Sequence, residues 1–142
     1  MLLIDVNILV YAFREDAPRH EEYRGWLLET IGSGEPFGVA DLVLSGFLRI
    51  TTHPRIFTPA SPILEALGFA EAFALAAQLR LPCAWIKALG HFHPSVPGYG
   101  TTWNAIPDTF LAALAIEADA EWITADGGFS LFPDLRWRHP LS

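Results

Sequence analysis

The chain is poor in the groups that redox and thiolate-metal chemistry require. Its 142 residues include one cysteine, Cys83, which excludes an intramolecular disulfide and a cysteine-built zinc site. Lysine is almost missing: eight of the nine basic residues are arginine, and Lys87 is the only lysine. Set against sixteen acids, they leave a net charge of −7. A field of that sign repels nucleic acid, so contact with a polyanion must run through a local arginine patch, a bound cation or a partner. No apolar run approaches the ~18 residues that span a bilayer. The opening MLLIDVNILVYAF is apolar but broken by Asp5 and without a basic leader, so a signal peptide is not expected and a cytoplasmic chain is. P-loop, G-x-G-x-x-G and G-x-S-x-G motifs are all absent, and Ser45 before Gly46 therefore has no nucleophile-elbow context.

What is present is an apolar, well-punctuated chain. Hydrophobic residues make up 51% and charged residues 18%, which excludes disorder, and the length suits one domain over residues 1–142. Leu2–Asp5 predicts a short buried strand, and Asn7 is placed to cap a short helix through ILVYAF. His20–Ile31 carries Tyr23, Trp26, Leu27 and Ile31 on one stripe with acids early, as an amphipathic helix does. Phe37–Val39 predicts a second strand, and Asp41 is suited to cap the helix LVLSGFLRITT. Pro62 opens a helix expected to reach about Arg80, with a strand at Cys83–Ile86. Pro107 and Asp108 open a helix to about Ala118, followed by strands at Trp122–Thr124 and Leu135–Arg138 around a turn at Asp126–Gly128. Alternating strands and helices predict an α/β fold with a parallel sheet, whose ligands gather at the carboxyl ends of the strands.

Two acids fall at that edge: Asp5 ends the first strand, and Asp126 follows WIT by one residue. Asp108 lies in the first turn of the preceding helix. Carboxylates gathered together repel unless protonated or bridged by a cation. Oxygen-only ligands suit Mg²⁺ or Mn²⁺, which orient a phosphodiester and activate water. The plainer alternative is also open at this point, since Asp108 suits the helix dipole and Asp126 before two glycines suits a turn.

Three blocks, LLIDVNILVYAF, SGFLRITTHPRIF and IPDTFLAALAIEADAEWITADGGFSLFPDLRWRHP, resemble the PIN-domain ribonucleases, specifically the VapC toxins of toxin–antitoxin pairs. The likeness covers well over half the chain and is least evident at Gly90–Trp103. It implies a three-layer α/β/α sandwich around a parallel sheet and a Mg²⁺- or Mn²⁺-dependent endoribonuclease that leaves a 5′-phosphate and a free 3′-hydroxyl. The metal ligands it implies are Asp5, Asp108 and Asp126, with Asn7 and Thr124 as supporting polar groups. It further implies a VapB-like antitoxin, a homodimer or larger toxin–antitoxin assembly, and DNA contact through the antitoxin alone.

The chain also departs from the family pattern. The glutamate usual in the helix after the second strand falls on Gly46, and Gly128 stands where a further aspartate is common. Asp41 lies about 140° around and ~7.5 Å along a helix from position 46, so only as a cap at the sheet edge is it a candidate metal contact. Arg49 and Arg55 are the candidate RNA phosphate contacts. His91 and His93 beside Pro94 read as surface loop, and the five tryptophans read as mainly core or interface groups. Two alternatives compete with the nuclease: a catalytically weak PIN-fold RNA- or protein-binding module, and a receiver-like phosphate-handling domain, which Asn7 and the single Lys87 fit poorly.

Overall fold

The computed structural model describes residues 1–81 and 106–142. The elements run β1 (Leu2–Ile4), α1 (Val6–Phe13), α2 (His20–Ser33), β2 (Phe37–Ala40), α3 (Asp41–Thr51), α4 (Ile63–Ala76), β3 (Leu79–Leu81), α5 (Ile106–Glu117), β4 (Glu121–Ile123), a 3₁₀ turn (Gly127–Leu131) and β5 (Trp137–Arg138). The strands form one five-stranded sheet in the order β3-β2-β1-β4-β5, and every pairing is parallel. This is the expected α/β fold.

The strand sequences explain why the sheet is buried on both sides. LLI, FGVA and EWI are nearly unbroken apolar runs, and Leu3, Ile4, Phe37, Val39, Trp122 and Ile123 are all buried. Gly38 permits the close approach of β3: a Cβ there would lie 2.9 Å from the Leu79 carbonyl oxygen and 3.0 Å from Leu3 Cδ2. Phe13, Phe47 and Phe69 bind α1, α3 and α4 together, with ring centroids 5.1–5.3 Å apart. Among the described residues, no helix is long and apolar enough to cross a membrane.

The order of strands places the site. From β1 the chain steps outward to β2 and β3, then crosses back to β4 and β5 on the other side of β1. Right-handed crossovers in opposite directions put their helices on opposite faces and open a crevice at the carboxyl ends of β1 and β4.

Several boundaries differ from the expected ones. The helix from Pro62 stops at Ala76 rather than near Arg80, because Gln78 exchanges hydrogen bonds with the Phe37 backbone and leads Leu79–Leu81 into the sheet. Sheet pairing there outweighs the helical propensity of alanine and leucine. Asp5, not Asn7, caps α1, accepting from the Val6 N–H, and Asn7 sits inside the helix. Ala40 rather than Asp41 is the cap of α3; Asp41 is its first helical residue. In α2 the buried stripe is His20, Tyr23, Leu27 and Thr30, with Trp26 and Ile31 only partly covered. The last strand is the shorter Trp137–Arg138. The strand expected at Cys83–Ile86, His91 and His93, Lys87, Trp85 and Trp103 lie outside the described residues.

Candidate metal centre

Asp5 is 3% exposed, at the point where β1 ends and α1 begins. Both oxygens are engaged. Oδ1 accepts from the Val6 N–H at 2.6 Å, and Oδ2 accepts from Thr124 Oγ1 at 2.6 Å and from Asn7 Nδ2 at 2.9 Å. Thr124 occupies the matching position just past β4, so parallel pairing of β1 with β4 brings residues 5 and 124 together. The Thr124 hydroxyl donates to Asp5 and accepts from Asn7 Nδ2 and the Asp126 N–H, each at 3.0 Å. Asn7 Oδ1 accepts from the Ala125 N–H at 3.1 Å. The result is a closed polar clasp that ties the start of α1 to the loop after β4 and fixes the Asp5 carboxylate in one orientation.

The loop after β4 presents the second acid. Asp126 is exposed and caps the 3₁₀ turn, with Oδ1 accepting from the Gly128 N–H at 2.7 Å. Asp108, in the first turn of α5, is half-buried. The Asp108 and Asp126 charges act on Asp5, and the Asp126 charge acts on Asp108. Burial pushes the Asp5 carboxyl up to about 6, against lowering by the Thr124 and Val6 hydrogen bonds, and the Asp108 and Asp126 charges push it further up. Burial and then the Asp126 charge likewise raise Asp108. An acid kept so deeply buried and beside like charges is costly unless something positive is brought to it.

The donor set consists of aspartate oxygens, with a clasp that orients one carboxylate and leaves another exposed, and this chemistry fits a hard divalent cation. Among the described residues, no three acidic, histidine or cysteine side chains close to the spacing of a ready-made metal cage. Asp5, Asp108 and Asp126 are therefore brought within electrostatic reach without being drawn into one coordination sphere.

The other expected residues are placed differently. Asp41 neither caps a helix nor acts on Asp5: its Oδ1 accepts from Arg80 Nη2 at 3.0 Å, so β3 supplies the countercharge that draws it outward. Gly46, partly exposed on α3, faces the first turn of α1, where a Cβ would meet only Val6 Cγ2 at 3.5 Å. Arg49 and Arg55 are exposed and form no ion pair among the described residues. Asp5, Asn7 and Thr124 are legible in the sequence, whereas the backbone part is not: the Val6, Ala125 and Asp126 N–H groups hold the clasp together. A polar residue one or three past the end of a strand, as at Thr124, Asn7 and Asp126, is the trace such a role leaves in a sequence.

Comparison with known proteins identifies the family. The PIN domain family model matches residues 2–135. A VapC ribonuclease of Mycobacterium bovis and ribonuclease VapC43 of Mycobacterium tuberculosis are each 43% identical over 144 residues, spanning 99% of this chain and 96% of theirs. Ribonuclease VapC25 of Mycobacterium tuberculosis is 33% identical over 153 residues, spanning 99% of each chain. Among solved structures, VapBC2 from Rickettsia felis, bound to a DNA fragment from its promoter, superposes with a TM-score of 0.65 at 16% identity over 97% of both chains.

Proposed function

We propose, from the premise that the chain belongs to the PIN-domain family and to its VapC ribonucleases, that it is a Mg²⁺- or Mn²⁺-dependent endoribonuclease acting as the toxin of a toxin–antitoxin pair. The observation that carries the reading is the clasp beyond β1 and β4, in which the Thr124 hydroxyl holds the buried Asp5 carboxylate and accepts from the Asp126 N–H. Asp5 and Asp126 would hold the ion from the two strand ends, and Asp108 from the first turn of α5. A divalent ion supplies, when bound, an activated water and stabilisation of the charge that develops on the phosphate.

The chain's own groups do the positioning. Thr124 and Asn7 fix the Asp5 carboxylate, so its donor direction does not have to be organised when substrate arrives. The Gly128 N–H fixes one Asp126 oxygen. No histidine is needed as general base. Asp41 has no part in this scheme, since Arg80 already holds it.

The partner is a VapB-like antitoxin. The pairing in the Rickettsia felis complex supports this, as does an apolar groove of about 910 Å³ between α1, α2 and α4, lined by Phe13, Leu27, Ile31, Phe69 and Phe73. A homodimer or a larger assembly with the antitoxin is part of the same reading, with DNA contact left to the antitoxin, in keeping with the net charge of −7. An RNA substrate puts the activity in the cytoplasm.

The test is cleavage of total cellular RNA by purified protein in Mg²⁺, with chelator and with Asp126→Asn as controls. Cleavage lost in both controls, with the variant melting as the wild type does, is the expected result. Wild-type rates in chelator or in Asp126→Asn would overturn the metal-site assignment. Stable binding of RNA without any cleavage would make the chain a binding module instead.

A further inference from the structure

Residues 139–142 follow β5, and the imidazole of His139 is bonded on both sides. Its Nδ1 accepts from the Leu141 N–H at 3.1 Å, closing a turn in which Ser142 Oγ donates to the His139 carbonyl at 2.9 Å. Its Nε2 lies 3.2 Å from the hydroxyl of Tyr23 on α2, with the ring centroids 6.0 Å apart. Tyr23 is buried against Tyr11 of α1, centroid to centroid 5.0 Å. Inside the turn Pro140 is buried, and Leu141 packs against the core. The turn begins one residue past Arg138, whose carbonyl accepts the Thr124 N–H at 3.2 Å.

These contacts fix where the proton sits. A backbone N–H only donates, so Nδ1 is the bare nitrogen and Nε2 carries the hydrogen given to Tyr23. An imidazolium has no acceptor. A proton on Nδ1 would set N–H against N–H and leave the Leu141 amide without its partner. Turning the ring over would not restore the turn and would give up Tyr23 as well. The Tyr23 bond strengthens instead, because a charged donor binds more tightly than a neutral one. His53 marks the contrast. It makes the same turn with the Arg55 N–H at 3.1 Å, but the residues it closes over, Pro54 and Arg55, are exposed.

The neighbouring groups leave the turn to the imidazole. Burial pushes the Tyr23 hydroxyl above its ordinary range, so it stays neutral, and the charges that reach it are Tyr11, Arg19 and Glu22. Arg19 and Glu22 pair with each other, and Arg138 pairs with Glu121. His20, also on α2, bonds the Tyr11 carbonyl and lies 4.0 Å from Glu21. Among the described residues, no carboxylate pairs with His139.

We infer that residues 139–142 are a pH-sensitive latch: neutral His139 closes the turn that buries Pro140, and a proton on Nδ1 opens it while the ring stays on Tyr23. Opening releases Leu141 from the core, next to the strand end that supports Thr124. The latch goes beyond the ribonuclease reading and does not depend on it, since neither RNA nor a cation enters its test.

The test is nuclear magnetic resonance of the full chain, labelled with nitrogen-15. At pH 7.5 the His139 ring should be the Nε2–H tautomer. The protection of the Leu141 amide against hydrogen exchange should fall about tenfold or more between pH 7.5 and pH 5.5, while contacts between the His139 and Tyr23 rings persist. Asp5 takes up a proton in the same range, so a variant assigns the response. His139→Asn offers an oxygen to the N–H two residues on and does not titrate, and it should keep Leu141 protected at both pH values. An Nδ1–H tautomer at pH 7.5, equal wild-type protection at the two pH values, or a loss in His139→Asn as large as in wild type would each overturn the latch. The tautomer is read on the wild type, so the latch stays open to refutation even if the variant folds poorly.

Discussion

Asp5 carries most of the tension in this molecule. Its carboxyl titrates near 6 in the fold against 3.8 when unconstrained, so between those values the folded chain holds more proton than the unfolded one. Stability from this residue is therefore greatest at low pH and is lost as pH rises through about 6, amounting to ~3 kcal/mol by neutrality. Asp5→Asn, which removes the buried charge and keeps one of the two acceptor oxygens, should melt at a higher temperature than wild type at pH 7.5, relief of the desolvated charge outweighing the hydrogen bonds lost on the amide side. The gap should close as the buffer is taken toward pH 4. Thermal melts across that range check it, and a variant less stable than wild type at pH 7.5 would show that the clasp depends on the charge.

At the scale of elements, most of the sheet could be anticipated and the reason is plain. LLI, FGVA and the WI of β4 are apolar, flanked by turn or cap residues, and too short to be helices. α4 and β3 could not be divided correctly, because ALAAQLR is good helix sequence and what ends the helix is the Gln78 contact with Phe37, forty residues away. Asp41 was misjudged for a similar reason: a capping residue type stood at a helix start, and Arg80 on a distant strand took its side chain. At the site, the identities of Asp5, Asn7, Thr124 and Asp126 were legible, whereas the buried clasp that joins them depends on β1 and β4 being neighbours. Gly38 is the element-scale position most exposed to error. Gly38→Ala would force apart β2 and β3 at the Leu79 carbonyl and should cost roughly 1–3 kcal/mol, read as a lower midpoint in urea unfolding. An unchanged midpoint would mean that this edge of the sheet yields easily.

For the whole molecule, much of the acid is an exposed coat, as at Glu15, Glu29, Glu35, Glu65 and Glu71, while Asp5, Asp108 and Asp126 belong to the crevice. Much of the arginine is committed to ion pairs that quiet the rim of the fold, while the aspartates in the crevice keep their repulsion. Anything that binds only the folded state stabilises it in proportion to the logarithm of its concentration over its dissociation constant. Millimolar Mg²⁺ or Mn²⁺ should accordingly raise the melting temperature of the wild type at pH 7.5 by several degrees. The increment should vanish in Asp126→Asn. Melts that ignore the ion would argue that the crevice does not hold it.

The clasp joins residue 5 to residue 124, across the parallel pairing of β1 with β4. A nascent chain emerging from the ribosome consequently carries Asp5 well before it carries Thr124 and Asp126. Synthesis therefore separates the two halves of the clasp by 119 residues of chain, and the carboxylate of Asp5 finds its partners only once the later half has been made.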